Sequence, residues 1–182
     1  PCQENVLTGE EVDIFKLPIP MIHEGDGGRF VGTWHLVIAR DPDSQWVNWG
    51  MYRLMAYNKN CIGGAWHIRN DTGRILFTKY VPKGKPMPVS IAIGADPISC
   101  LVATAPVAAE ESEVDYTGGL HQKPIELVKS ITNDIFVPAH AEIILEGEIL
   151  PKSEITEGPF GEFTGYRTEA SRTRVCRLTA IT

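Results

Sequence analysis

Ala141-Glu142-Ile143-Ile144-Leu145-Glu146-Gly147-Glu148-Ile149-Leu150 is the longest extended run in the chain. Its aliphatic and β-branched residues, interrupted by single charges, ask for a strand. Met87 to Gly94 reads as a second, central strand. Thr33 to Ala39 and Trp46 to Tyr52 flank the turn Asp41-Pro42-Asp43-Ser44, which predicts an antiparallel hairpin. Arg53 to Tyr57 and Gly64 to His67 extend the pattern around Asn58-Lys59-Asn60. Ile125 to Lys129, Ile135 to Val137, Gly165 to Glu169 and Thr173 to Thr182 complete it. Helix is sparse. Arg74 to Tyr80 is a strand or a short helix, and Asp96 caps a helix that opens on Pro97 and reaches about Thr104. Glu110 to Tyr116 is helix or turn, broken at Gly118-Gly119. The expectation is a mainly β fold with short helices, a barrel or sandwich rather than a doubly wound α/β fold.

At 182 residues the chain is the size of one domain. It divides into an irregular, Pro-rich lead-in over residues 1–28 and a β domain over 29–182. The Glu24-Gly25-Asp26-Gly27-Gly28 loop lacks the strand-then-helix setting of a dinucleotide fingerprint and the lysine of a P-loop. Seventeen Lys+Arg against 23 Asp+Glu give a formal charge of -6, which argues against a nucleic-acid surface. No apolar run reaches the length of a membrane span. Cys2, Cys61, Cys100 and Cys176 lie far apart without a CxxC pair, so reduced thiols in a cytoplasmic protein are expected. The opening without methionine and the strand-like last residues suggest a chain cut at both ends.

Several residues have the chemistry of a site. Glu157 and Glu162 bracket Gly158-Pro159-Phe160-Gly161, a core no regular helix tolerates. In a strand the two acids would face opposite sides, whereas a turn can aim both into one cavity. They are either solvated turn residues or a catalytic pair. Asn48-Trp49-Gly50-Met51-Tyr52-Arg53 offers a glycine for close backbone approach and a guanidinium fork for a carboxylate or phosphate. His67, in Trp66-His67-Ile68-Arg69, is a structural histidine or a ligand. Glu111, Glu113 and Asp115 are solvated acids or a source of one carboxylate for an Asn/His/Glu set around Mn²⁺ or Mg²⁺.

Taken together, these stretches resemble the UbiD family of reversible, non-oxidative decarboxylases. The resemblance rests on Asn48–Arg53, Trp66–Arg69, Lys85–Pro97, Glu113–Tyr116 with Gly118-Gly119, Val137–Glu142 with Leu145-Glu146-Gly147, and most specifically on Glu157–Glu162 with Thr164-Gly165-Tyr166. It implies a split β-barrel resembling flavin reductase domains and a prenylated FMN cofactor. It further implies Mn²⁺ held by Asn48, His67 and Glu113, with K⁺ nearby. Gly50, Met51, Tyr52 and Trp66 would line the cofactor, as would Ala103, Thr104, Ala105 and Pro106. Arg53, Glu157 and Glu162 would be catalytic, with Arg53 paired to Glu157, orienting the carboxylate, and Glu162 free to donate a proton. Where some members carry glutamine before the ligand histidine, this chain has Trp66.

The implied substrate is a small aromatic carboxylic acid, phenolic or hydroxybenzoic by preference. The implied partners are further N- and C-terminal domains of the same protein and a homo-oligomer, with no nucleic acid and no membrane. Two alternatives predict different geometry. A non-catalytic structural β domain would leave both glutamates in solvent, and a conventional FMN-binding reductase would have no use for an Arg53–Glu157 pair.

Overall fold

A computed structural model describes residues 1–182. In chain order the elements are β1 (Leu7–Thr8), two 3-10 turns (Gly9–Glu11 and Ile14–Lys16), β2 (His35–Arg40), β3 (Val47–Gly50), β4 (Leu54–Asn58) and β5 (Cys61–Gly64). Next comes α1 (Asp71–Ile75), which runs on into a π-helical turn at Leu76–Tyr80. Then follow β6 (Met87–Ile93), α2 (Pro97–Val102), α3 (Glu113–His121), β7 (Leu127–Lys129), β8 (Phe136–Pro138), β9 (Ile143–Glu157) and β10 (Ser171–Ile181). No helix is long and apolar enough to cross a membrane.

The main sheet runs β3-β2-β6-β9-β10-β5-β4, with β1 pairing onto β10, while β7 and β8 form a separate two-stranded sheet. All pairings are antiparallel. The expected split β-barrel is not formed, and the fold is a mixed, sheet-rich α/β arrangement with an open main sheet. β3 and β4 are its two ends and do not pair with each other. The reason lies in their outer edges. On β3, the Val47 and Trp49 amides donate to the Ser112 hydroxyl (3.3 Å) and the Glu113 carboxylate (2.7 Å), so no further strand can take them. On β4, the Leu54 carbonyl accepts from Val31 and the Ala56 amide donates to Arg29, which places residues 29–31 along that edge.

Both faces of the central strands are buried, which explains why β2 and β6 read as nearly continuous apolar runs. Val37, Ala39, Val89, Ile91 and Leu145 point into one apolar layer with Ile14, Ile75 and Leu76. Leu36, Ile38, Ala92 and Ile144 point into the other, with Cys100, Ile135 and Val137. At about 1.5–3 kcal/mol for each large aliphatic side chain fully buried, these two layers hold the sheet.

The Asp96 carboxylate caps α2 by accepting from the Ile98 and Ser99 amides, and Pro97 stands at its first turn, as the sequence predicts. Gly118-Gly119 does not break α3. The glycines sit in its last turn, where their carbonyls accept from Lys123 and Gln122, and Gln122 takes the left-handed conformation that closes the helix. Arg74 to Tyr80 is helical. Gly165 to Glu169 forms no strand, contributing only an isolated bridge between Gly161 and Arg167. β9 is longer than its apolar stretch suggests, because residues beyond Leu150 pair with β10 alone. Its register jumps there. Ile149 pairs with Cys176 and Glu154 with Arg174, so residues 150–153 stand against Val175 alone, a wide bulge at Pro151.

Candidate active site

The three residues between β3 and β4, Met51 to Arg53, leave the ladder and turn toward the end of β9. Gly50 is required locally. A Cβ there would lie 2.1 Å from the Tyr52 hydroxyl, since the Tyr52 ring folds back over Gly50. That space was expected to admit a ligand, and Tyr52 fills it. His35 is fully buried on β2 and its Nε2–H donates to the Tyr52 carbonyl at 2.9 Å, pinning the connection. Burial pushes the His35 imidazolium down to about 4, so the ring is neutral at neutral pH.

Arg53 reaches both acids. Its Nε and Nη2 donate to the two oxygens of Glu157 at 2.8 and 3.0 Å, a bidentate fork, and its Nη1 donates to Oε1 of Glu162 at 2.6 Å. The environments of the acids differ: the Glu157 side chain is 2% exposed and that of Glu162 31%. The bonds to Glu157 raise the Arg53 pKa further, so the guanidinium stays charged. The Phe160 ring lies 5.6 Å from the guanidinium carbon and packs on Phe30. The turn therefore does aim both carboxylates at one place, but Glu162 is not free as expected: it shares Arg53 with Glu157.

Asn48 and Glu113 form a second buried group behind this one. Asn48 Nδ2 donates to Glu113 Oε1 at 3.1 Å, and the Trp49 amide donates to Oε2. Thr72 donates to Asn48 Oδ1 at 2.8 Å. Burial raises the Glu113 carboxyl pKa, and no protein cation pairs with it. His67 is exposed and bonds to neither Asn48 nor Glu113. No three His, Cys, Asp or Glu side chains gather in a metal-holding cluster. A buried carboxylate beside an amide oxygen, with no counter-charge, fits part of a hard-cation site. The histidine is not drawn into it. Trp66 is a core residue whose Nε1–H donates to the Arg174 carbonyl, at an edge-on contact with Tyr52. Ala103 is buried at the end of α2, and Thr104, Ala105 and Pro106 follow it exposed.

Two residues near these groups escape a sequence reading: Thr72 and Asp26. Of the two, only Asp26 carries a local signal, a carboxylate among glycines in a stretch that reads as loop.

A family profile described as the 3-octaprenyl-4-hydroxybenzoate carboxy-lyase Rift-related domain, UbiD, matches residues 1–182. Among curated proteins, pyrrole-2-carboxylic acid decarboxylase of Pseudomonas aeruginosa is 40% identical over 166 residues, covering 91% of this chain and 33% of that protein. Among solved structures, an evolved dimeric form of the UbiD-class enzyme HmfF from Pelotomaculum thermopropionicum, in complex with prFMN, superposes with a TM-score of 0.95. It is 36% identical, over 100% of this chain and 42% of that one. The closed form of Sedimentibacter hydroxybenzoicus vanillic acid decarboxylase gives a TM-score of 0.94 at 33% identity, over 100% of this chain and 39% of that one. The chain thus spans well under half the length of these relatives.

Proposed function

Because the chain belongs to the UbiD family, we propose that it is the cofactor-binding part of a prenylated-FMN-dependent decarboxylase acting reversibly on an aromatic acid, phenolic or hydroxybenzoic by preference. The observation that carries this reading is Arg53, gripped bidentately by a buried Glu157 and reached by a half-exposed Glu162. The related structures that hold prFMN or FMN support the cofactor. The names of the relatives, which specify pyrrole-2-carboxylic and vanillic acids, support the substrate class.

The residues have separable tasks. Glu157 holds the Arg53 fork in one orientation, so the rest of the guanidinium edge faces outward for a substrate carboxylate. That carboxylate competes with Glu162 for Nη1. A Glu162 displaced from Nη1 and protonated from solvent would stand beside the carbon that loses CO₂ and give it the proton that replaces the carboxyl group. When bound, prenylated FMN supplies the electron sink for the charge left at that carbon. Gly50, Met51 and Tyr52 would line it, with Ala103 to Pro106 opposite. Asn48 and Glu113 would give oxygen donors to Mn²⁺, with K⁺ close by, and His67, exposed here, would have to turn inward to serve as the third ligand. The remaining length seen in the relatives would close the pocket and build the oligomer.

The structural-domain alternative requires solvated glutamates, and a Glu157 side chain 2% exposed on Arg53 speaks against it. The test is the full-length protein produced with a prenyl-flavin synthase. Near-stoichiometric Mn, a modified-flavin spectrum, and CO₂ release from pyrrole-2-carboxylate, vanillate or 3,4-dihydroxybenzoate, lost on Glu162→Gln, are expected. A colourless, metal-free and inactive protein overturns the proposal.

A further inference from the structure

We infer that Asp26 is a positioning residue for Glu162, fixing the turn from the side opposite Arg53. Its side chain is fully buried. Oδ2 accepts from the His23 amide at 2.9 Å, and Oδ1 accepts from the Gly161 amide at 2.9 Å and from Arg167 Nη1 at 3.3 Å. Gly161 directly precedes Glu162, so the bond to Oδ1 holds the Phe160–Gly161 peptide, one before the peptide that carries Glu162, whose own amide donates to the Tyr166 carbonyl at 2.8 Å. On the other side of the turn the Gly27 amide donates to the Pro159 carbonyl at 2.7 Å.

The two segments lie backbone against backbone. A Cβ on Gly27 would fall 2.0 Å from the Gly158 oxygen, and one on Gly161 would fall 2.8 Å from the His23 ring. Arg167, returning from the far arm of the turn, donates both to Asp26 and to the Glu24 carbonyl. The buried carboxylate thus collects three donors from three separate stretches of chain. Glu157 does not depend on this arrangement. It ends β9, where pairing with Ser171 fixes it. Losing Asp26 therefore separates the two acids: Glu157 keeps its grip on Arg53 while Glu162 loses its fixed approach.

The inference rests on the decarboxylase reading for its kinetic consequence but not for its structural one, and two measurements keep them apart. In the full-length holoenzyme, Asp26→Ala is expected to lower kcat by up to about 100-fold, the cost of misplacing a reacting group by about 1 Å. KM for the aromatic acid and the cofactor absorption stay within about twofold, because Glu157 still holds the Arg53 fork in place. Asp26→Asn, which keeps an acceptor for Gly161, restores most of kcat. Hydrogen exchange followed by mass spectrometry is expected to show faster exchange over residues 158–163 in Asp26→Ala, with β9 unchanged. This second readout needs no activity, so an inactive native protein sinks the decarboxylase and leaves the positioning role to be judged by exchange. Unchanged exchange in the turn overturns the inference. So does a protection loss spread over β9 and β10, or a kcat that stays within twofold in an active enzyme.

Discussion

Replacing Arg53 with methionine strands a buried carboxylate, and the size of the penalty follows from the geometry. Both oxygens of Glu157 take their hydrogen bonds from Arg53 alone, on a side chain 2% exposed. Methionine keeps the stem volume, so little cavity is added and the charge is isolated as the cause. Breaking a buried pair by removing one partner costs about 3–5 kcal/mol. The open side toward Glu162 lets some water approach, which favours the lower end, about 3 kcal/mol. For a domain of this size each kcal/mol moves Tm by about 2–4 °C, so a fall of roughly 6–12 °C is expected. Adding Glu157→Gln removes the stranded charge and should recover about 2 kcal/mol, because a neutral amide is far cheaper to bury than a carboxylate. Urea unfolding of the native protein, both single variants and the double variant measures this directly. Arg53→Met within about 1 kcal/mol of native, or a double variant no more stable than Arg53→Met, would refute the account of Glu157 as a charge sustained by Arg53.

Three further outcomes follow from the same structure. Glu162→Gln should change stability by less than about 1 kcal/mol, as expected for a partly exposed pair, while lowering turnover by about 10²–10⁴-fold; CO₂ release and urea midpoints report the two effects. His35 binds its proton in the folded state only near pH 4, against 6.5 for the free group. Its contribution is therefore fully present above about pH 6.5 and is lost as pH falls toward 4, by about 2 kcal/mol at pH 5. Urea midpoints at pH 7 and 5 test this, and His35→Phe should flatten that part of the profile. Glu113→Gln should lower the Mn content of the full-length protein, by elemental analysis, to below about a tenth of that of the unsubstituted protein, because the proposed site depends on the carboxylate charge.

The strands of the core were legible because each satisfies a local rule. Met87 to Ile93 lies within the expected central strand, and Asp96-Pro97 opens a helix as capping chemistry requires. The openness of the sheet was not legible. It depends on side chains at positions 112 and 113 reaching amides at 47 and 49, and no pattern within β3 announces that its outer edge is already taken. The candidate site residues were legible as types, through the Gly-Pro turn and the resemblance it carries. Their sharing of one guanidinium was not, because Arg53 meets Glu157 and Glu162 across 104 and 109 residues of sequence. Asp26 was hidden for a related reason: a loop rich in glycine looks permissive until the backbone it touches is known.

The bulge in β9 has a consequence for how sequences of this kind can drift. Residues 150–153 separate the half of the strand locked between β6 and β10 from the half that ends at Glu157. The facing of Glu157 is set beyond the bulge by its pairing with Ser171, so a residue gained or lost in that interval is taken up by the bulge and leaves Glu157 turned toward Arg53. Alignments of relatives should therefore show this interval varying in length as well as composition, with the spacing from Glu154 to Glu157 fixed wherever the glutamate–arginine pair survives.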